Sequence, residues 1–235
     1  MTPIQAILFD KDGTLFDFQA SWGAFTARMI ARLADGDTAL CQRMADGMAL
    51  DLKPERFRPE SPVIAGTADV MVGIVRDAFP GQSEATVRDR LAAATGSAEQ
   101  VPVTPLAPLM AEFRKAGYRL GVATNDDAAS AHSHLAQSSV AEAFDFVAGY
   151  DSGYGAKPGP GQLLGFAAAL DLAPAAVLMV GDSTHDLLAA QAAGMPAIGV
   201  LTGVAASEDL APLAEAVLPS IADLPEWLRG RKPTI

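Results

Sequence analysis

The chain has 235 residues, half of them hydrophobic and 19% charged, which describes a compact globular protein with a sizeable core and excludes an extended disordered polymer. Seventeen basic against 28 acidic residues leave a formal charge of −11, which argues against nucleic acid or an anionic membrane surface as partner, although a local basic pocket remains compatible with it. Cys41 is the single cysteine, so no intrachain disulfide can form, and a reducing, cytoplasmic compartment is expected.

The chain opens on the apolar run Ile7-Leu8-Phe9, which reads as a buried strand and ends in Asp10-Lys11-Asp12-Gly13-Thr14-Leu15. Asp10 and Lys11 interrupt that run, so it does not read as a signal peptide. One aspartate would suffice as a turn or cap residue, and Asp12-Gly13 alone is also a turn. Two carboxylates at i and i+2 of an extended segment point the same way. Asp10 and Asp12 can therefore face one reacting centre if strand geometry persists that far, and their repulsion then requires a cation or a shared proton.

Between residues 16 and 100 the pattern is helical. Phe18, Trp22, Phe25, Met29 and Leu33 recur at spacings of four, three, four and four, and further helices are expected at Thr38 to Leu50, Ala68 to Ala78 and Glu84 to Ala94. The Pro-rich stretch Lys53 to Pro62 reads as a loop, and a second linker is expected near Gly96 to Pro102. Thr104-Pro105 reads as an N-cap with proline at the first position of a helix that Gly117 ends, and from Ala116 onward the chain alternates as βα units. Strands are expected at Leu120 to Ala123, Phe144 to Ala148, Val177 to Val180 and Pro196 to Val200. Helices are expected at Ala128 to Ala136, Gly161 to Leu170 and Leu187 to Ala193. Leu187 to Ser207 carries no charge, but Gln191, Gly194, Pro196 and Gly199 divide it into a short helix and a short strand rather than a membrane span. Together these elements describe an α/β fold, a doubly wound parallel sheet with a helical insertion after its first strand.

In such a sheet, ligands sit beyond the carboxyl ends of the strands. The first end carries Asp10 and Asp12. The second carries Thr124-Asn125-Asp126, a hydroxyl and backbone N–H groups at a helix start, which suits a phosphate oxygen or serves only as an N-cap. After the third comes Lys157-Pro158, with lysine as a point charge for a phosphoryl group or as a surface residue. The fourth carries Gly181-Asp182-Ser183-Thr184-His185-Asp186, in which Ser183-x-x-Asp186 is also a capping box. Four acids, a lysine and a hydroxyl describe a metal-assisted phosphoryl site. His185 reads as a first-turn helix residue. His132 and His134, two apart on a helix, read as a solvated surface.

These four segments, in this order, resemble the motifs of the haloacid dehalogenase superfamily, and the helical insertion resembles the cap of its phosphoglycolate-phosphatase-like branch. The resemblance implies a Rossmann-like core of residues 1–15 and 101–235 with a cap of residues 16–100. It implies Asp10 as the nucleophile forming an aspartyl-phosphate and Asp12 as general acid, then base. Mg²⁺ would be held by the Asp10 carboxylate, the Asp12 backbone carbonyl and Asp182, with Asp186 supporting the metal shell. Thr124, the Asn125 N–H and Lys157 would bind the phosphate oxygens. Dehalogenases proper lack an aspartate at position 12, so the resemblance points to a phosphatase for a small phosphorylated metabolite, with 2-phosphoglycolate as leading candidate. A phosphosugar mutase of the same superfamily, or a binding protein retaining the fold, stands as the alternative, and both monomer and homodimer are compatible with the sequence. The related pattern usually continues with Asp-Ser where this chain has Asp17-Phe18, which alters the cap entrance and leaves catalysis untouched. Arg56 and Arg58 are candidates for a substrate carboxylate, or for a solvated loop.

Overall fold

The computed structural model describes residues 2–64, 66–94 and 99–231. In chain order, strand β1 (Ala6–Phe9) is followed by a π-helical turn (Gln19–Gly23), helices α1 (Ala24–Ala34) and α2 (Thr38–Gly47), the short strands β2 (Leu50–Leu52) and β3 (Glu55–Phe57), and helices α3 (Ala68–Ala78) and α4 (Glu84–Ala94). Then come α5 (Leu106–Lys115), β4 (Arg119–Ala123), α6 (Ala128–Gln137), β5 (Phe146–Ala148), α7 (Gly161–Ala169) and β6 (Val177–Gly181). The chain continues through α8 (Thr184–Ala193), β7 (Ala197–Val200), α9 (Ser207–Leu210), β8 (Ala216–Leu218) and α10 (Leu224–Arg231). The chain divides into two compact units, one formed by residues up to Asp17 and from Pro102 onward, the other by Phe18–Val101.

The first unit is an α/β core. Its six strands run in the order β5-β4-β1-β6-β7-β8, and every neighbouring pair is parallel. Side chains alternate across a strand, so each strand feeds two cores. Ile7 and Phe9 join Leu120, Val122, Leu178 and Val180 against Met110, Phe113 and Leu224 on one face. Ala6 and Leu8 join Val177 and Met179 against Leu163, Phe166, Leu187 and Ala190 on the other. Each large apolar side chain so buried contributes about 1.5–3 kcal/mol. Burial on both faces explains why these strands read as uninterrupted apolar runs rather than as alternating ones. The chain winds outward from β1 through β4 to β5, then crosses back to β6 and winds the other way. The sheet's topological switch point therefore lies between β1 and β6, and in sheets of this kind ligands bind beyond the carboxyl ends of the strands at that point. No helix among the described residues is long and apolar enough to cross a membrane, and the uncharged stretch after Leu187 is α8 followed by β7.

The second unit is helical, with Phe25, Met29, Ile30 and Leu33 of α1 buried beside Met44, Val87 and Leu91. It also contains the antiparallel pair β2-β3, within the stretch expected to be a helix end and a loop. Gln19 stitches this hairpin down: its side-chain amide donates to Phe57 O and its carbonyl accepts from Phe57 N–H, both at 2.9 Å. The Phe57 ring then packs at a tilt against Phe18, 5.4 Å between centroids. Two three-residue strands flanking Lys53-Pro54 show no readable period, which is why the sequence did not disclose them. Helix α5 also starts later than expected: Pro105 occupies the N-cap position, and no side chain caps that helix. Of the expected second linker, residues 96–98 lie outside the described residues.

Candidate active site

Asp10 follows β1 directly, and Asp182 follows β6, so the two aspartates flank the switch point. Asp186 stands one helical turn into α8 and reaches back toward them. One carboxylate oxygen from each of Asp10, Asp182 and Asp186 lies within 4.8 Å of the others, and all three residues are buried. Lys157 enters between them: its ammonium is 2.6 Å from Asp10 Oδ1 and 2.6 Å from Asp186 Oδ1. At 4% exposure it is a site lysine and not a surface one.

The remaining predicted residues hold this group in place. Asn125 grips the Lys157 main chain from both sides, donating from Nδ2 to Lys157 O at 3.0 Å and accepting Lys157 N–H at 2.8 Å. Thr124 is 2% exposed; its hydroxyl accepts the Asp126 N–H at 3.1 Å, and its carbonyl accepts from the side chain of the fully buried Gln162. Asp186 has two functions at once. Its Oδ2 accepts from Ser183 N–H and Ser183 Oγ, forming the capping box of α8, while its Oδ1 meets Lys157. Thr14 donates to Asp182 Oδ1 at 3.1 Å, and Thr202 donates to the Gly13 carbonyl at 2.7 Å. Gly13, at φ +88°, and Gly203 pack so closely on Asp182 that a Cβ at either position would overlap its carboxylate. His185 sits half-buried in the first turn of α8, outside the acidic group.

The electrostatics follow from three carboxylates facing one ammonium. Burial, opposed by Lys157 and reinforced by Asp186 and Asp12, pushes the Asp10 carboxyl up to about 7. Burial and the charges of Asp10 and Asp186 push Asp182 well above its ordinary range. Burial pulls Lys157 down, but Asp10 and Asp186 outweigh it, so its pKa ends above that of a free lysine and it stays charged. The surplus negative charge needs protons or another cation. All the donors are hard oxygens, and the Asp182 carboxylate is clamped by two glycines and a threonine, so the residues fit a Mg²⁺-class ion.

Asp12 does not join that group. The strand ends at Phe9, and the Asp12 side chain turns to Lys11, 2.6 Å away, rather than toward Asp10's partners. Lys11 is itself fully buried and also meets Asp126 Oδ2 and His134 Nδ1, each at 3.1 Å. His134 is therefore a buried partner of the first motif, correcting the expectation of a solvated surface. Burial and the Lys11 charge push its imidazole down to about 4, so it is neutral. Lys11 and His134 were missed because a lysine between two aspartates reads as solvated and the helix that carries His134 showed no matching partner in sequence. The one available signal was a lysine only two residues past the end of a fully apolar strand. Arg56 is exposed on β3, and Arg58 lies 3.6 Å from Asp51 and 3.9 Å from Glu60, both within the helical unit.

The family model for haloacid dehalogenase-like hydrolases matches residues 4–194. The chain is 33% identical over 195 residues to the probable phosphatase IndB of Dickeya dadantii, covering 83% of this chain and 80% of that protein. It is 34% identical over 202 residues to a phosphoglycolate phosphatase of Photorhabdus laumondii, covering 84% and 80%. Among solved structures, a protein of Haemophilus somnus described as a predicted phosphoglycolate phosphatase superposes with a TM-score of 0.75 at 19% identity, covering 97% of this chain and 99% of that one. A HAD phosphatase of Thermococcus onnurineus gives 0.68 at 21% identity, covering 97% and 99%. These two likenesses establish the fold.

Proposed function

Because the chain belongs to the haloacid dehalogenase-like hydrolases, on the phosphatase side of that family, we propose that it is a Mg²⁺-dependent phosphatase that hydrolyses a small phosphomonoester through an aspartyl-phosphate on Asp10. The observation that carries this reading is the buried group at the sheet's switch point, where Asp10, Asp182 and Asp186 converge and Lys157 pairs with Asp10 and Asp186. Mg²⁺ held by the Asp10 carboxylate, the Asp12 carbonyl and Asp182, with Asp186 in support, would supply the positive charge that lets a phosphate dianion approach an aspartate.

Asp10 attacks phosphorus while Lys157, held by Asn125, neutralises the phosphoryl oxygens together with Thr124 and the Asn125 N–H. Asp12 gives a proton to the ester oxygen as its bond to phosphorus breaks. It then takes a proton from the water that cleaves the acyl phosphate. The names of several relatives make 2-phosphoglycolate the leading candidate substrate.

Phosphate release from a panel of phosphomonoesters that includes 2-phosphoglycolate and hexose phosphates, with Mg²⁺ and with EDTA, tests the proposal. Metal-dependent release is expected. Interconversion of sugar phosphates without net phosphate would replace the phosphatase by a mutase, and inertness toward the whole panel would contradict both.

A further inference from the structure

Between the two aspartates of the first motif stands a lysine with no solvent exposure. Burying an ammonium is unfavourable by several kcal/mol unless each of its protons finds a partner. Lys11 has three N–H groups, and three acceptors surround it: Asp12 Oδ2 at 2.6 Å, Asp126 Oδ2 at 3.1 Å and His134 Nδ1 at 3.1 Å. For His134 Nδ1 to accept, its proton must sit on Nε2. The imidazole is itself wedged edge-on against Phe16 at 6.5 Å, and Asp126 is fixed through its other oxygen by the Asp127 N–H at 2.9 Å. Two of the three partners are thus anchored to α6 and its leading loop, and the shortest of the three contacts is to Asp12.

We propose that Lys11, anchored by Asp126 and His134, is a positioning residue that fixes the orientation of the Asp12 carboxylate for proton transfer to the leaving group. The inference rests on the reading of Asp12 as the general acid. The shortest contact of Lys11 is to the Asp12 carboxylate, so the effect argued for it passes through Asp12. An ammonium within 3.1 Å of three acceptors on separate elements has little room to move, and it holds the nearest Asp12 oxygen at 2.6 Å. A proton is then delivered along a fixed direction as the ester P–O bond breaks and the bond from Asp10 to phosphorus forms.

The test compares kcat/KM for two substrates of nearly the same shape, phenyl phosphate and p-nitrophenyl phosphate, under saturating Mg²⁺. The nitrophenolate leaves without a proton and the phenolate leaves poorly without one, so loss of a positioned acid harms the first substrate selectively. A merely structural defect lowers both alike. Lys11→Met is expected to lower kcat/KM for phenyl phosphate at least about tenfold more than for p-nitrophenyl phosphate. Asp12→Asn is expected to show the same selectivity, and adding Lys11→Met to it is expected to bring no further selective loss. Equal losses on both substrates in Lys11→Met, beside a selective loss in Asp12→Asn, would overturn the inference alone. A non-selective Asp12→Asn, or a wild type that turns over neither substrate, would overturn the reading of Asp12 and the inference with it. If Lys11→Met does not fold, Asp126→Asn, which removes one anchor and keeps the lysine, decides in the same way: a smaller selective loss supports the inference and an equal loss contradicts it.

Discussion

Asp10 and Asp12 lie two residues apart in the chain, yet each is ion-paired to a different buried lysine, Lys157 at 2.6 Å for the first and Lys11 at 2.6 Å for the second. The neighbouring carboxylates are thereby paired in two separate groups rather than one, while the Asp12 charge still helps to raise the Asp10 carboxyl. Under the proposed mechanism, Asp10 does the covalent work in one group and the Asp12 side chain does the proton work in the other.

Replacing Lys157 by methionine leaves Asp10 and Asp186 buried without a counter-charge. Loss of one partner of a buried ion pair destabilises by about 3–5 kcal/mol. Urea unfolding of Lys157→Met at neutral pH in EDTA is expected to show a loss of that size, and phosphatase activity is expected to fall below detection. A variant as stable as the wild type would show that Lys157 does not balance the acidic group.

The pH dependence of metal-free stability has a definite sign. Unfolded Asp10 releases its proton near 3.8, whereas the folded residue holds it until about 7. Between those values the folded state binds more protons, so Asp10 contributes stability that is complete below about 4 and is lost as pH rises through 7. In EDTA the wild type is expected to lose stability across this window, by up to about 1.4 kcal/mol per pH unit from this group. Asp10→Asn is expected to flatten the slope. An equally steep decline in the variant would assign it to other groups.

Gly203 and Gly13 press on the Asp182 carboxylate from two sides. Gly203→Ala places a methyl where that carboxylate lies and must displace it. Since groups that orient a metal ligand are typically worth 10–100-fold in metal affinity, the Mg²⁺ concentration giving half of the thermal shift is expected to rise about tenfold or more. An unchanged midpoint would mean that Asp182 is not a ligand.

Away from the site, Asp145 ties α5 and β4 together, accepting from Arg114, from Arg119 and from the Leu120 N–H at 3.0 Å. Burial pushes its carboxyl up, but the hydrogen bonds from Arg119, Leu120 and Arg114 outweigh it and hold the pKa below the ordinary value of 3.8. Its stabilisation is therefore present above pH 4 and is lost as pH falls through the lowered value. Both arginines are largely exposed, so Asp145→Ala is expected to destabilise by only about 1–2 kcal/mol at pH 7. Unfolding curves of the two proteins are expected to converge toward pH 3, and a constant gap there would contradict this role.

What the sequence discloses depends on how each element is stabilised. Strands β1, β4, β6 and β7 are buried on both faces and were legible as apolar runs. The three-residue β8 is only half-buried, and the β2-β3 hairpin depends on the Gln19 side chain, so neither has a local signature. The group of Asp10, Lys157, Asp182 and Asp186 could be anticipated because the doubly wound topology brings strand ends together. The Lys11, Asp126 and His134 group could not be, because it depends on side-chain packing between a strand end and α6 that no spacing encodes. Asp186 reads in sequence as either a helix cap or a site residue, and its two oxygens meet Ser183 and Lys157 respectively.

The central claim is that Asp10 carries the phosphoryl group during turnover. Acid quenching of the enzyme in steady state with Mg²⁺ and its preferred phosphomonoester, followed by peptide mass spectrometry, tests it most directly. The account predicts an acyl phosphate on the Asp10 peptide of the wild type and none in Asp10→Asn, which releases no phosphate. Undiminished turnover in Asp10→Asn, or a phosphoryl group on any other residue, would contradict it.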